Sequence, residues 1–560
     1  MPKSSNDEQR KEFNVELRHA QLGRLGAGVL TFGGNQWPCV NLSMSDIAPD
    51  LHTDEAKFDF VKAVTNDGTT FCLCDCKAHG FALYADYVID GDLNEAVFDS
   101  ISVRYSDVSE WFLRWRNVDG SVGEVLTWKQ IPKEIDVTVQ TDEEDFNLRS
   151  EYRSSRSQRG EDLVLHEHVE FVFSANSAQF NLDDVKAKTH ELSCLLSILV
   201  AYPATILSVV VSQGNGHSFR VHFPTSERPE RDHDAGSFWL RCFIQQPALD
   251  GRWQSIFDQH YRSKYRKVCW VRLAGMQRYE GFWEYKALGY VSLLDSYLNI
   301  KYMGGKDNEP QPPSSKKVKK FRLNLSNEMP DISAAQREKI VGIASVAFAS
   351  DSFSLEEKYR LAIAATDADI TKIINLSEDD FALIKRVRNR VAHGDDHGLK
   401  QEQFPAVLRA ESKIALLLTY WAFLDFGLTT QEFITCLERT HSRLKLAAVI
   451  DNVHMARVTR SAEFFSVTIE KLQLLRGVKG LRVHGCCVED ENGNLTFSED
   501  YTKRYSDWMH DMTKASGVQD PETIFGVGKD RARFIGEAYF ECGDERLGVH
   551  HIWVIKKPLA

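Results

Sequence analysis

Leu376–Gly394, LSEDDFALIKRVRNRVAHG, reads as one complete helix with both ends marked. Ser377 is a capping residue with Asp380 at the capping-box position, and Leu376 can staple against Phe381, which predicts a helix beginning at Glu378. Acids fill the first turn, Lys385, Arg386, Arg388 and Arg390 crowd the far end to match the macrodipole, and Gly394 is a natural stop. The apolar stripe runs through Ile384, Val387 and Val391. Arg388 lies on that same stripe, four residues from Ile384 and three from Val391. An arginine there is costly unless an internal carboxylate, a ligand or a partner subunit answers it. His393 falls at the helix end, where its side chain can reach into a cleft.

Further helical patterns surround this one, at Phe282–Tyr302, Ala334–Ala349, Leu355–Ala365, Phe404–Phe426 and Thr430–Ile450. They predict a helical bundle over 281–450. It is interrupted at 304–330, where Pro312-Pro313-Ser314-Ser315 and Lys316-Lys317-Val318-Lys319-Lys320 read as a flexible basic loop. A solvated linker, an RNA contact and a nuclear-import signal are its three readings. Residues 1–240 have a strand-and-turn texture, as at Gly28–Phe32, Thr70–Cys76, Ile101–Tyr105, Val169–Phe173 and Phe219–Phe223, with a helix embedded at Asp183–Val200. Residues 451–560 return to mixed texture, with a helix at Ala462–Leu475 and strands near Gly480–Val488 and His550–Ile555. The expected fold class is therefore α+β multidomain: a β-rich N-terminal domain, an all-α bundle and a small α/β C-terminal domain.

Residues 241–280 form a basic, aromatic connector. Within 252–280, Arg252, Arg262, Lys264, Arg266, Lys267, Arg272 and Arg278 stand against only Asp258 and Glu280, interleaved with Tyr261, Tyr265 and Trp270. Arg262, Lys264, Arg266 and Lys267 are the candidate RNA-binding residues, since cations and exposed rings suit phosphate contact and base stacking. The alternative is a solvated face that packs its aromatics inward.

At 560 residues the chain is too long for one core. With 43% hydrophobic and 26% charged residues it can bury several. A net charge of -12 excludes a generally basic nucleic-acid-coating surface, so any RNA site must be local. Eleven cysteines without framework spacing, behind a polar N-terminus, fit free thiols in a reducing cytoplasm. Leu192–Val211 carries no charge over about a bilayer's thickness. Pro203 divides it into a helical part and a β-branched strand, which reads as buried core, so no membrane is expected.

Arg388-Asn389, three further residues and then His393 resemble the signature of HEPN ribonucleases, an Arg, four to six residues, and a His. Arg386 satisfies the wider spacing to His393, so it rivals Arg388; Asn389 following Arg388 favours the latter. Phe98–Val103 leading to Trp111, and Leu163–Phe173 followed by the Asp183–Leu199 helix, look like the N-terminal domain of ApeA-type anti-phage HEPN proteins. The resemblance covers roughly the first four-fifths of the chain.

What it implies is a HEPN nuclease of bacterial defence that cleaves RNA, tRNA among the candidates, once a phage-derived trigger appears. It also implies a homodimer or higher homo-oligomer with a composite active site. The family's Arg and His carry over to Arg388 and His393, its polar second residue to Asn389, and its helix-one supporting residue to Asp295. Arg386 and Arg390 are further supporting candidates. The chemistry suits the residues: histidine titrates near neutrality and can move a proton, and arginine binds phosphoryl oxygens in bidentate fashion. No metal or cofactor is expected. Arg388 and His393 lie five residues apart, roughly 140° around a helix, which would aim them apart in a single chain.

Two other readings stand beside this one: a non-catalytic HEPN scaffold binding RNA or protein, and a ligand-sensing protein acting through its β-rich domain. Several metal-like groupings fall short. Cys72, Cys74 and Cys76, near His79, alternate along an apparent strand and so share one face, unlike zinc knuckles. His166 and His168 share a strand face and read as an exposed or hydrogen-bonded pair, and Cys486-Cys487 with His484, Cys542 and His550-His551 match no standard ligand spacing. Gly526–Asp530 is too short for a phosphate-binding loop.

Overall fold

The computed structural model describes residues 10–556, apart from 48–55, 94, 114–117, 120–124, 126, 129–132, 215, 227–236, 303–314, 330–331, 349–352, 479–483, 492 and 512–519. Two compact units divide the chain: residues 1–367 with 374–449, and residues 450–560 with 368–373. The β-rich region and the helical bundle thus belong to one unit.

The first unit opens with β1 (Lys11–His19), β2 (Gly23–Gly33), β3 (Gln36–Ile47), β4 (Lys57–Thr65), β5 (Thr70–His79), β6 (Ala82–Tyr84), β7 (Tyr87–Asp90) and β8 (Ser100–Tyr105). It continues through α1 (Val108–Phe112), the short ribbon β9 (Val118–Asp119) and β10 (Thr127–Trp128), then β11 (Asp136–Gln140), β12 (Asp145–Arg159) and β13 (Asp162–Ala175). The helix α2 (Leu182–Val200) and the hairpin β14 (Ile206–Ser212) and β15 (Ser218–His222) complete the β-rich region. Thirteen of these strands join in the order β11-β12-β13-β8-β14-β15-β7-β5-β4-β1-β2-β3-β6, and β6 also pairs with β5. That last pairing closes β1, β2, β3, β6, β5 and β4 into a six-stranded barrel, which removes edges at its closure. Val15, Leu17, Leu30, Phe32, Val61, Phe71 and Leu73 are among the residues that fill its core.

Cys72, Cys74 and Cys76 do not share one face as their alternation suggests. Asp75 adopts φ +52°, and the β4–β5 register skips between Phe58↔Cys76 and Phe60↔Cys74. Past this bulge Cys76 joins Phe71 and Leu73 inside the barrel, while the Cys72 thiol meets the backbone of Leu93. Among the described residues no group of three or more His, Cys, Asp or Glu is placed to hold a metal ion.

The uncharged Leu192–Val211 stretch is core, as its pattern indicates. α2 has a reciprocal Asn181–Asp184 capping box and ends at Ala201 in the left-handed region. Its Thr189 carbonyl accepts from the buried Tyr105 hydroxyl at 2.7 Å. No described helix is long and apolar enough to cross a membrane.

The connector is helical: α3 (Phe238–Arg241), α4 (Trp253–Arg262), a π-helical turn at Arg266–Trp270, and α5 (Val271–Arg278). The bundle follows with α6 (Trp283–Tyr302), α7 (Ser315–Glu328), α8 (Ala334–Phe348), α9 (Leu355–Ala364), then α10 (Ala368–Ile374), whose residues 368–373 are grouped with the second unit, and α11 (Glu378–Ala392), α12 (Phe404–Asp425), α13 (Thr430–Arg439) and α14 (Arg443–Ala447). Two expectations change here. The basic run does not lie in a loop: from Ser315 onward it belongs to α7, which packs against α8, while Pro312, Pro313 and Ser314 fall outside the described residues. Thr430–Ile450 is two helices, because Thr440 turns extended and Ser442 caps a new start.

The second unit contains α15 (Asn452–Thr459), β16 (Glu463–Ser466), α16 (Ile469–Gly477), β17 (Gly485–Glu489), β18 (Leu495–Phe497), α17 (Glu499–His510), α18 (Pro521–Phe525), β19 (Ala532–Cys542) and β20 (Glu545–Lys556). Its sheet runs β16-β19-β20-β17-β18. The helix expected from Ala462 starts only at Ile469. Glu463–Ser466 pairs instead with β19, and Thr468 supplies the N-cap.

Candidate active site on the last turn of α11

α11 begins and ends where its sequence marks it. The Ser377 hydroxyl accepts from the Asp380 amide at 3.0 Å, although Asp380 does not reciprocate and the capping box stays half made. At the other end Gly394, at φ +77°, donates to the Val391 carbonyl, and Asp395 donates to Arg390. This pair of bonds is a Schellman closure, which a residue with a Cβ would strain. Phe381 stacks on Tyr359 of α9 with ring centroids 3.9 Å apart and planes 9° apart. Phe381, Ile384 and Val387 are buried and Val391 is half-buried, so the predicted stripe faces the core and loosens toward its end.

Arg388 follows that stripe inward, and its side chain is 27% exposed. A carboxylate from α6 answers it: Nη2 lies 3.5 Å from Asp295 Oδ2. Nη1 donates to Asn389 Oδ1 at 3.0 Å. Nε is buried and, among the described residues, has no acceptor. The guanidinium is therefore held on two sides by polar groups yet keeps donor capacity for an anion. Asn389 is exposed beside it.

His393 is the C-cap and is exposed. α11 is α-helical through Ala392, so the five-residue offset from Arg388 keeps its roughly 140° angle. Arg386 is exposed and lies off the core stripe. Arg390 is exposed too, but the following loop crosses it: a Cβ added to Gly398 would lie 2.1 Å from Arg390 Nη1. His397 anchors that loop between Trp283 and Phe404, at 5.4 and 5.2 Å between ring centroids.

The connector cations part company. Arg266, offered as an RNA contact, is instead a core residue. Its side chain is 4% exposed, its guanidinium lies 3.6 to 3.7 Å from Glu143, Glu144 and Glu191, and it covers the Tyr261 ring. Lys267 pairs with Glu143 at 2.6 Å. Arg262 and Lys264 are exposed, with Lys264 Nζ 3.3 Å from the Ile300 carbonyl. Tyr261, Tyr265 and Trp270 are all buried, so no stack of bases can reach them. This is the inward-packed alternative.

The sequence reading missed two residues behind Asp295, Asn299 and Lys358. Asn299 had a signal, being four residues from Asp295 on one helix face; Lys358, on α9, had none.

Residues 288–432 match the family model described as Apea-like HEPN, and residues 26–259 match the model described as ApeA N-terminal domain 1. The bundle is thus a HEPN domain, and its matched segment contains Asp295, Arg388, Asn389 and His393. With the two domains following each other in one chain, the protein belongs to the ApeA-type HEPN proteins. Neither the curated proteins nor the solved structures searched gave a match.

Proposed function

We propose that the protein is a metal-independent endoribonuclease of bacterial anti-phage defence, acting in the cytoplasm as a homodimer or higher homo-oligomer. The observation that carries this reading is Arg388. It sits on the core-facing stripe of a capped helix, tethered to Asp295 and Asn389 through one N–H of each terminal nitrogen with its other donors unspent, just over a turn before an exposed histidine.

In the proposed reaction a neutral imidazole takes the proton of an RNA 2′-hydroxyl as O2′ bonds to the adjacent phosphorus. The P–O5′ bond then breaks, and a protonated imidazole returns a proton to O5′. The products are a 2′,3′-cyclic phosphate and a 5′-hydroxyl. Arg388 stabilises the charge gathering on the phosphorane oxygens, and Asn389 fixes the guanidinium plane. The nucleophile is the substrate's own hydroxyl, which confines the activity to RNA and leaves no water for a metal to activate. Because Arg388 and His393 diverge on one helix, the two groups converge only when a second copy supplies one of them.

Full-length protein incubated with total RNA in excess chelator tests this. Cyclic-phosphate ends are expected from the wild type and from neither Arg388→Ala nor His393→Ala. If overexpression arrests growth equally in wild type and His393→Ala, the assignment fails.

A further inference from the structure

Behind Asp295 lies a line of polar groups that crosses three helices. Asn299, one turn further along α6, donates from Nδ2 to Asp295 Oδ1 at 3.4 Å. Asn299 Oδ1 accepts from Nζ of Lys358 on α9. Lys358 is buried, at 9% exposure. An ammonium has only donors and a carboxylate only acceptors, so the amide between them has one permitted orientation. The line reads Lys358, Asn299, Asp295, Arg388, Asn389.

We propose that Lys358 and Asn299 are positioning residues that fix the Asp295 carboxylate and, through it, the Arg388 guanidinium. The inference rests on the reading of Arg388 as the phosphate-binding group. Two facts favour a positioning role over a purely structural one. Burying an ammonium costs free energy that an apolar side chain of the same length would not, and here the ammonium meets an amide rather than a carboxylate. The Arg388–Asp295 contact is long, at 3.5 Å, and joins one oxygen to one nitrogen rather than two to two. Such a contact leaves the carboxylate free to rotate unless its other oxygen is held, and Asn299 is what holds it. Lys358 in turn prevents the amide from flipping its oxygen toward Asp295, which would set two acceptors against each other.

The test uses the full chain with Lys358→Met, Lys358→Arg, Asn299→Asp and Asp295→Ala. In RNA cleavage, Lys358→Met and the isosteric Asn299→Asp should each lower kcat roughly tenfold, the kinetic equivalent of one lost hydrogen bond, with KM changed less. Lys358→Arg should recover most of the rate. The double variant Asp295→Ala/Lys358→Met should be no slower than Asp295→Ala alone, because Lys358 acts only through Asp295. Multiplying losses in the double variant would overturn the inference, as would an unchanged kcat in Lys358→Met while His393→Ala is inactive. Crystal structures of wild type and Asn299→Asp decide the matter independently of activity. An Arg388 guanidinium displaced from Asp295 supports the relay, and an unmoved one overturns it. Cleavage that persists in His393→Ala would instead sink the ribonuclease reading and leave the relay to the crystal structures.

Discussion

Replacing Arg388 and Asp295 together by Met and Leu should abolish function while leaving the fold as stable as before or more so. At 3.5 Å and an effective dielectric of about 20, the gross attraction of the pair is about 5 kcal/mol. Removing two ions from water costs several kcal/mol each when burial is complete. With side chains 27% and 29% exposed most of that cost applies, so the net contribution is within about 1 kcal/mol of zero. Arg388 also leaves Nε buried without an acceptor, a penalty of about 1 to 3 kcal/mol that a methionine removes. Met on the α11 face and Leu on the α6 face would each add about 1 to 2 kcal/mol of apolar burial, scaled from full burial of such side chains. These terms sum to a gain of about 3 to 7 kcal/mol, an upper bound because the hydrogen bonds to Asn299 and Asn389 are lost with the pair. Equilibrium urea unfolding of the full chain reads this as a raised midpoint with unchanged slope. A loss of 2 kcal/mol or more would show that the pair is a structural keystone, and the argument that Arg388 faces inward for function would fall with it.

Two further outcomes follow from charges elsewhere in the first unit. His260 is 2% exposed, neither ring nitrogen has a partner among the described residues, and burial, then the nearby Arg266 charge, hold its pKa down at about 3. The unfolded chain therefore binds a proton between pH 6.5 and 3 that the folded chain refuses, so this contribution is complete above 6.5 and falls by about 1.4 kcal/mol per pH unit below it. Stability of wild type relative to His260→Leu should drop by about 1 kcal/mol between pH 6.5 and 5.5 in urea titrations, the slope steepening below, and a pH-independent difference would refute the assignment. Arg266→Met should destabilise the first unit by about 3 kcal/mol, since it strips Glu191, whose pKa burial already raises, of its cation. Lys264→Ala, at an exposed position, should change stability by less than about 0.5 kcal/mol in the same titration.

The contrast between α11 and the connector shows what a sequence carries and what it does not. The start, end and buried face of α11 depend on residues within a turn of one another, and Ser377, Gly394 and the Ile384–Val387 stripe all fall where local rules put them. Arg266 depends on Glu143, Glu144 and Glu191, between 75 and 123 positions away, and nothing nearby in the sequence announces them. A run of cations among aromatics looks the same whether it faces water or three carboxylates. The closure of the barrel is likewise a long-range event, because β6 is only three residues long and pairs with two strands. The flip of Cys76 hangs on the conformation of a single residue, Asp75.

The same distinction bears on the site itself. Local rules place an arginine on a buried stripe and mark it as anomalous, but they do not say what answers it. Asp295, 93 positions upstream, answers it only in part, at a distance too long for a tight pair and through one of its five N–H donors. An arginine fully satisfied by its own chain would have nothing left for a phosphate, and one left wholly unsatisfied would not stay on the stripe. Partial satisfaction is the state a resting phosphate-binding arginine needs. In this protein it is produced by three helices that the sequence separates, which is why the motif could be read from the chain while the way it is held could not.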